Sequence, residues 1–118
     1  MAERVGKLKV GDGLSTETDI GPLINRAARD KVQSYMEIGR QEGARVLIGG
    51  SGYDAGACAS GFFFQPTILD QVTPSMRVAQ EEIFGPVLSV IEVPDFDAAI
   101  AVLNGTRYGL AAYVWTEN

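Results

Sequence analysis

The chain has 118 residues, 46% of them hydrophobic, with 10 Lys+Arg against 15 Asp+Glu for a formal net charge of −5; this suits one domain of ordinary globular composition, acidic enough to repel a phosphate backbone. It contains no histidine and one cysteine, Cys58, which excludes within it any Ser-His-Asp or Cys-His nucleophile pair, any His-ligated metal, and any intrachain disulfide or thiolate zinc site. No apolar run approaches the roughly 20 residues of a membrane span, and Met1-Ala2-Glu3-Arg4-Val5 opens no signal peptide, so the expected partners include neither nucleic acid nor membrane and the expected location is cytoplasmic.

Taken in chain order, Gly11-Asp12-Gly13-Leu14-Ser15 lacks the lysine and spacing of a P-loop and reads as a turn. Gly21-Pro22-Leu23-Ile24 reads either as an extended lead-in or as a first helical turn. The spacing then predicts a helix over Arg26 to Glu42. Ile24, Ala27, Ala28, Val32, Tyr35, Met36 and Gly39 form its apolar stripe, while Arg26, Arg29, Asp30, Glu37 and Arg40 take the other face, with Arg26 and Asp30 spaced for an i,i+4 pair. Asn25 suits the N-cap and Gly43 the left-handed position past the end.

Arg45 to Ile48 reads as a short buried strand, followed by a Gly/Ala-rich loop from Ser51 to Gly61 that contains Cys58. Phe62-Phe63-Phe64 and Thr67-Ile68-Leu69 read as extended, with Pro66 marking an edge or a bulge. Thr73-Pro74-Ser75 opens a turn or short helix, and Val87 to Val93 is strand-prone. Asp95 is placed to cap a second amphipathic helix with Phe96, Ala99, Ile100 and Leu103 on one side. Gly105 ends it, and Ala111 to Trp115 reads as a last strand. The pattern is α/β with a parallel or mixed sheet. Two substantial helices are few for a sheet covered on both faces, so the chain is expected to be a piece of a larger domain.

Three places invite a chemical reading. Gly50-Ser51-Gly52 with Asp70 downstream imitates a dinucleotide fingerprint, but the Ala/Gly loop that follows offers no helix N-terminus for a pyrophosphate. Ala57-Cys58-Ala59 supplies neither the cation nor the base that a reactive thiolate requires, so Cys58 reads as a small loop residue. Gln80-Glu81-Glu82-Ile83-Phe84-Gly85-Pro86-Val87 is the informative segment. A carboxylate can accept two hydrogen bonds from a cis-diol, and an aromatic two residues on can pack against a flat ring. Equally, both glutamates could be solvated with Phe84 in the core and Gly85-Pro86 a turn.

The segment resembles the Glu-Glu-x-Phe-Gly-Pro motif of the NAD(P)-dependent aldehyde dehydrogenase superfamily. Its neighbours agree in order: Ile20-Gly21-Pro22-Leu23-Ile24, Gly61-Phe62-Phe63-Phe64-Gln65-Pro66-Thr67, Met76-Arg77, and Asn104 through Tyr108-Gly109-Leu110-Ala111-Ala112. The resemblance implies that residues 1–118 form part of a catalytic domain, an α/β partial doubly wound sheet, with the cysteine nucleophile, the general base and the Rossmann-like cofactor domain outside this stretch. The complete enzyme would oxidise an aldehyde to a carboxylic acid with NAD or NADP as a homo-oligomer, and this chain alone would be inactive. By the same resemblance Glu82 holds the nicotinamide-ribose hydroxyls, Phe84 borders the nicotinamide ring, Leu110 lies near that end, and Lys31 approaches the cofactor ribose or phosphates. Ile20 to Ile24 and Ser34 to Gly39 look most like the semialdehyde dehydrogenase branches. The alternative is a stand-alone binding or assembly module that keeps the fold without the chemistry.

Overall fold

A computed structural model describes residues 1–109 and 113–117. A one-turn helix α1 (Ala2–Val5), not foreseen from the sequence, leads into an extended stretch in which Val10 bridges Ile20. Between them Asp12 closes the anticipated turn, its carboxylate accepting from the Leu14 N–H at 3.0 Å. Gly21-Pro22-Leu23-Ile24 is extended rather than helical, and the Leu23 N–H donates to the Phe62 carbonyl at 2.8 Å.

Helix α2 runs over Arg26–Glu42 as its periodicity predicts. The Asn25 side chain accepts from the Ala28 N–H at 2.8 Å, and Gly43 sits at φ 102°. Hydrogen bonds from Gly43 N to Arg40 O and from Ala44 N to Gly39 O complete a Schellman end, which only a left-handed residue permits. Val32, Tyr35, Met36 and Gly39 are buried. Ile24 precedes the cap and is 89% exposed, and Ala27 is also exposed, so the stripe is narrower than expected. The Arg26–Asp30 pair does not form among the described residues; the Arg26 guanidinium lies over the Phe62 ring at 5.6 Å.

The sheet has three strands in the order β1 (Arg45–Ile48), β2 (Thr67–Asp70), β3 (Val87–Ser89), with β1–β2 antiparallel and β2–β3 parallel. It is therefore mixed. β1 is an edge strand and alternates exposed and half-buried residues rather than being buried throughout. β2 is central, flanked by β1 and β3, and its first three residues are buried; Pro66 stands just before its first residue, outside the strand. The irregularity falls on β1 instead, between Val46 and Ile48. β3 is shorter than the Val87–Val93 run. Its partner β2 stops at Asp70, where Gln71 at φ 57° bends the chain, and beyond β3 only Val90 N to Leu69 O and Val72 N to Val90 O still join the two segments among the described residues.

Phe63 and Phe64 are buried, not exposed on an edge, and Cys58 is buried in a 3-10 turn (Gly56–Ser60) rather than lying in an irregular loop. The core joins Val32, Tyr35 and Met36 of α2 to Phe64, Leu69, Val72, Met76, Val78 and Ile83. After a turn at Thr73–Met76 comes α3 (Arg77–Gln80), and α4 (Phe96–Asn104) follows β3. Asp95 caps α4 through the Ala98 N–H at 2.8 Å. Its expected apolar side is only partly covered: Ala99 is buried, while Phe96 is 67% exposed and Ile100 is also exposed, since no described element packs over them. Of the expected last strand, residues 113–115 are not in a strand, and Ala111 and Ala112 lie outside the described residues.

Candidate functional site

Two elements meet to build the site. One face of α2 carries Lys31, Tyr35 and Glu42, and the segment from Arg77 to Phe84 runs beside it through α3. The contacts form a ladder of opposite chain sense. The Glu42 carboxylate accepts from the Arg77 N–H at 2.9 Å, the Tyr35 hydroxyl donates to Glu81 Oε2 at 2.7 Å, and the Lys31 ammonium donates to the Glu82 carbonyl at 2.9 Å. Arg77 closes the arrangement within its own segment, with Nε and Nη2 donating to the two Glu81 oxygens, each at 2.8 Å. This two-pronged fork matches the planar carboxylate and is stronger than a neutral hydrogen bond.

The charge states follow from these contacts. The Arg77 guanidinium and then the Tyr35 hydroxyl hold the Glu81 carboxyl down to about 2. The hydrogen bond to Glu81, with burial adding to it, pushes the Tyr35 phenol up, and Glu81 likewise raises Arg77. Glu81 is thus a structural anion at neutral pH, not a solvated one.

Beyond Glu81 the chain alternates its faces. Glu82 is exposed, Ile83 is buried in the core, and Phe84 is 75% exposed. The Glu82 carboxylate accepts no hydrogen bond from the described residues. Phe84 sits at φ 60°, a left-handed conformation that a bulky L residue avoids. The reading that put Phe84 in the core is overturned, because Ile83 takes that place. Gly85 passes directly over Val32, and the Pro86 carbonyl accepts from the Thr67 N–H at 2.8 Å, tying the turn to the head of β2.

Glu81, Glu82, Phe84, Gly85, Val78, Val87 and Ser89 line an open groove of about 510 Å³. A broader hollow of about 740 Å³ adjoins it, walled by Ala79, Gln80, Leu88, Ile91, Val102, Leu103 and Tyr108. Of the sequence-derived site residues, Lys31, Glu82 and Phe84 come together here, although the Lys31 ammonium is turned onto the Glu82 backbone. Leu110 lies outside the described residues. Sequence reasoning missed the partners Tyr35, Glu42 and Arg77. The i,i+4 spacing of Arg77 and Glu81 was the available signal; a Tyr on a buried stripe, whose hydroxyl requires a partner, was another. Cys58 lines neither the groove nor the hollow.

Comparison with known proteins agrees over the full chain. A betaine aldehyde dehydrogenase of Brucella anthropi is 49% identical over 118 residues, covering 100% of this chain and 24% of that protein. A putative aldehyde dehydrogenase of Staphylococcus saprophyticus is 47% identical over 113 residues, 96% of this chain and 24% of its own length. Among solved structures, the betaine aldehyde dehydrogenase of Staphylococcus aureus in complex with NAD+ superposes with a TM-score of 0.92 at 38% identity, covering 99% of this chain and 23% of that one. Aldehyde dehydrogenase C of Pseudomonas syringae, a C291A mutant in complex with NAD+ and octanal, superposes at 0.85 with 41% identity over 92% of this chain and 22% of that one. The chain spans about a quarter of the length of the curated relatives it matches. These relatives carry betaine aldehyde or general aldehyde names rather than semialdehyde ones. With the aldehyde dehydrogenase family profile matching residues 1–118 and the fold superposing throughout, the chain belongs to the aldehyde dehydrogenase family.

Proposed function

We propose that residues 1–118 are one part of the catalytic domain of an NAD+-dependent aldehyde dehydrogenase, and that the groove at Glu82 and Phe84 borders the nicotinamide-ribose end of the cofactor. The observation that carries this reading is the pairing of a carboxylate without a partner among the described residues with an exposed aromatic held at φ 60° on the same rim. An exposed Phe in a disfavoured backbone conformation has no stabilising role of its own, and such strain concentrates at ligand sites. The resemblance to structures that hold NAD+ supports the choice of dinucleotide.

The residues fit one end of that cofactor. Glu82 would accept hydrogen bonds from the two ribose hydroxyls, acting as the acceptor of a bidentate pair. The Phe84 ring would shield one side of the nicotinamide from water. Bound NAD+ supplies a hydride acceptor. This chain's own residues orient that acceptor and exclude water, while the reacting thiol and its base are proposed to lie outside residues 1–118. The remaining contacts of the dinucleotide are likewise assigned elsewhere, so Glu82 contributes more to placement than to affinity.

The test uses the full-length protein, with NADH production followed from betaine aldehyde and from octanal. Glu82→Gln is expected to slow hydride transfer by about tenfold to a hundredfold, as small misplacements do, while NAD+ affinity changes less. Wild-type turnover and cofactor kinetics in Glu82→Gln, or no turnover of either aldehyde by the wild type, would sink the reading.

A further inference from the structure

A ladder of contacts joins α2 to the segment that carries Glu81 and Glu82 to the groove. Residues 31, 35 and 42 of α2 meet residues 82, 81 and 77 in reverse order. The spacings along α2 are four and seven residues, one and two turns, so all three groups rise from a single face of the helix. That face acts as a rail. The short helix α3 has no side-chain cap of its own, and its first N–H is satisfied by Glu42 from across the gap. Its end is held by Glu81, which Tyr35 grips from the buried side and Arg77 from the exposed side.

From these contacts we propose that Tyr35, Arg77 and Glu81 are positioning residues: by locking Glu81 against α2 they determine the direction in which Glu82 and Phe84 face the groove. The inference rests on the reading of the groove given above. Its physical basis is the alternation that follows Glu81. Ile83 is anchored in the core and Phe84 is forced to φ 60°; a segment with a strained residue returns to an ordinary conformation unless both sides are held. Pro86 is fixed to β2 on one side, and the Glu81 clamp is the corresponding hold on the other. Tyr35 is buried, so water competes poorly for its hydroxyl. Lys31 adds a second hold at the Glu82 carbonyl, which makes it part of the rail in this structure rather than a group facing the groove.

The decisive variant is Tyr35→Phe in the full-length enzyme, since it keeps the ring and removes one hydroxyl. Arg77→Lys keeps the charge and loses the fork. Four quantities would be compared with wild type and with Glu82→Gln: thermal stability, NAD+ dissociation constant, single-turnover hydride-transfer rate, and amide hydrogen exchange across residues 81–85. The aldehyde is whichever of betaine aldehyde and octanal the wild type oxidises, with deuterium at the aldehyde carbon. Tyr35→Phe is expected to bind NAD+ within about twofold of wild type and to slow hydride transfer on the order of tenfold. Its deuterium isotope effect on kcat should rise as that step becomes limiting, and amides 81–85 should exchange faster. Arg77→Lys should fall between the two. If Tyr35→Phe and Arg77→Lys lower the melting temperature yet leave hydride transfer, isotope effect and local exchange at wild-type values, the clamp is only structural and the inference fails. Should Glu82→Gln also be silent, the reading of the groove itself has failed, and the two failures are thereby distinguished.

Discussion

Gly85 passes Val32 so closely that a Cβ added to it would stand 2.5 Å from Val32 Cγ2. Val32 is completely buried, and a β-branched side chain on a helix has one strongly preferred rotamer, so it has nowhere to turn. Gly85→Ala is therefore expected to destabilise the fold by about 1–3 kcal/mol, the usual cost of overpacking. The urea midpoint measures it. Val32→Ala opens the space, so the double variant should be more stable than the sum of the single effects predicts; strict additivity would refute the contact as the cause.

The Glu81 carboxyl, held near 2 against an ordinary value of 4.5, ties stability to acid. A depressed folded-state value means that the unfolded chain binds the proton more readily. The contribution is thus present above the ordinary value and lost as pH falls through 4.5 towards 2. Melting temperature followed from about pH 6 to about pH 2 should fall more steeply in wild type than in Glu81→Gln. Parallel curves would show that Glu81 is not the coupled group.

Among the described residues strand β3 has no neighbour on its outer side, Leu88 is exposed, and Phe96 and Trp115 also present uncovered apolar surface. Unpaired edges of this kind recruit other chains. The 118-residue chain is expected to self-associate reversibly, with a mass by light scattering that rises with concentration. Leu88→Lys should shift it towards monomer although it reduces the net negative charge, which separates edge pairing from charge repulsion. A wild-type chain that stays monomeric across the dilution series would defeat this prediction.

Cys58 is buried in its 3-10 turn and lines neither the groove nor the hollow. Cys58→Ser should leave hydride transfer and NAD+ binding in the full-length protein unchanged, with a stability loss of no more than about 1–3 kcal/mol for the buried hydroxyl. A variant that folds normally yet loses turnover would give this thiol a chemical role that its surroundings do not suggest.

Local signals in the sequence were enough for the elements whose ends are built from their own residues. Helix α2 has its cap, its Schellman end and its apolar period within the segment from Asn25 to Ala44, and it appears over the predicted range. The Asp95 cap and the Asp12 turn were legible for the same reason. The segment from Gln80 to Val87 stood out by its mixture of residue types; the resemblance named Lys31 as a group approaching the cofactor, and only the structure turns its ammonium onto the Glu82 carbonyl.

Elsewhere, long-range contacts decided the outcome. Val87 to Val93 has strand propensity throughout, but β3 can only be as long as the edge that β2 offers, and Gln71 ends that edge. Phe96 and Ile100 follow a helical period, yet no described element covers them. The i,i+4 spacing offered Glu81 a partner in Arg77, but that Tyr35, 46 residues away in the chain, would hold the same carboxylate was decided by the fold. Nor could composition say that Ile83 would take the core and leave Phe84 outside. A strand or helix residue is identified by its neighbours in sequence, whereas the direction of a carboxylate is set by whatever the fold brings against it.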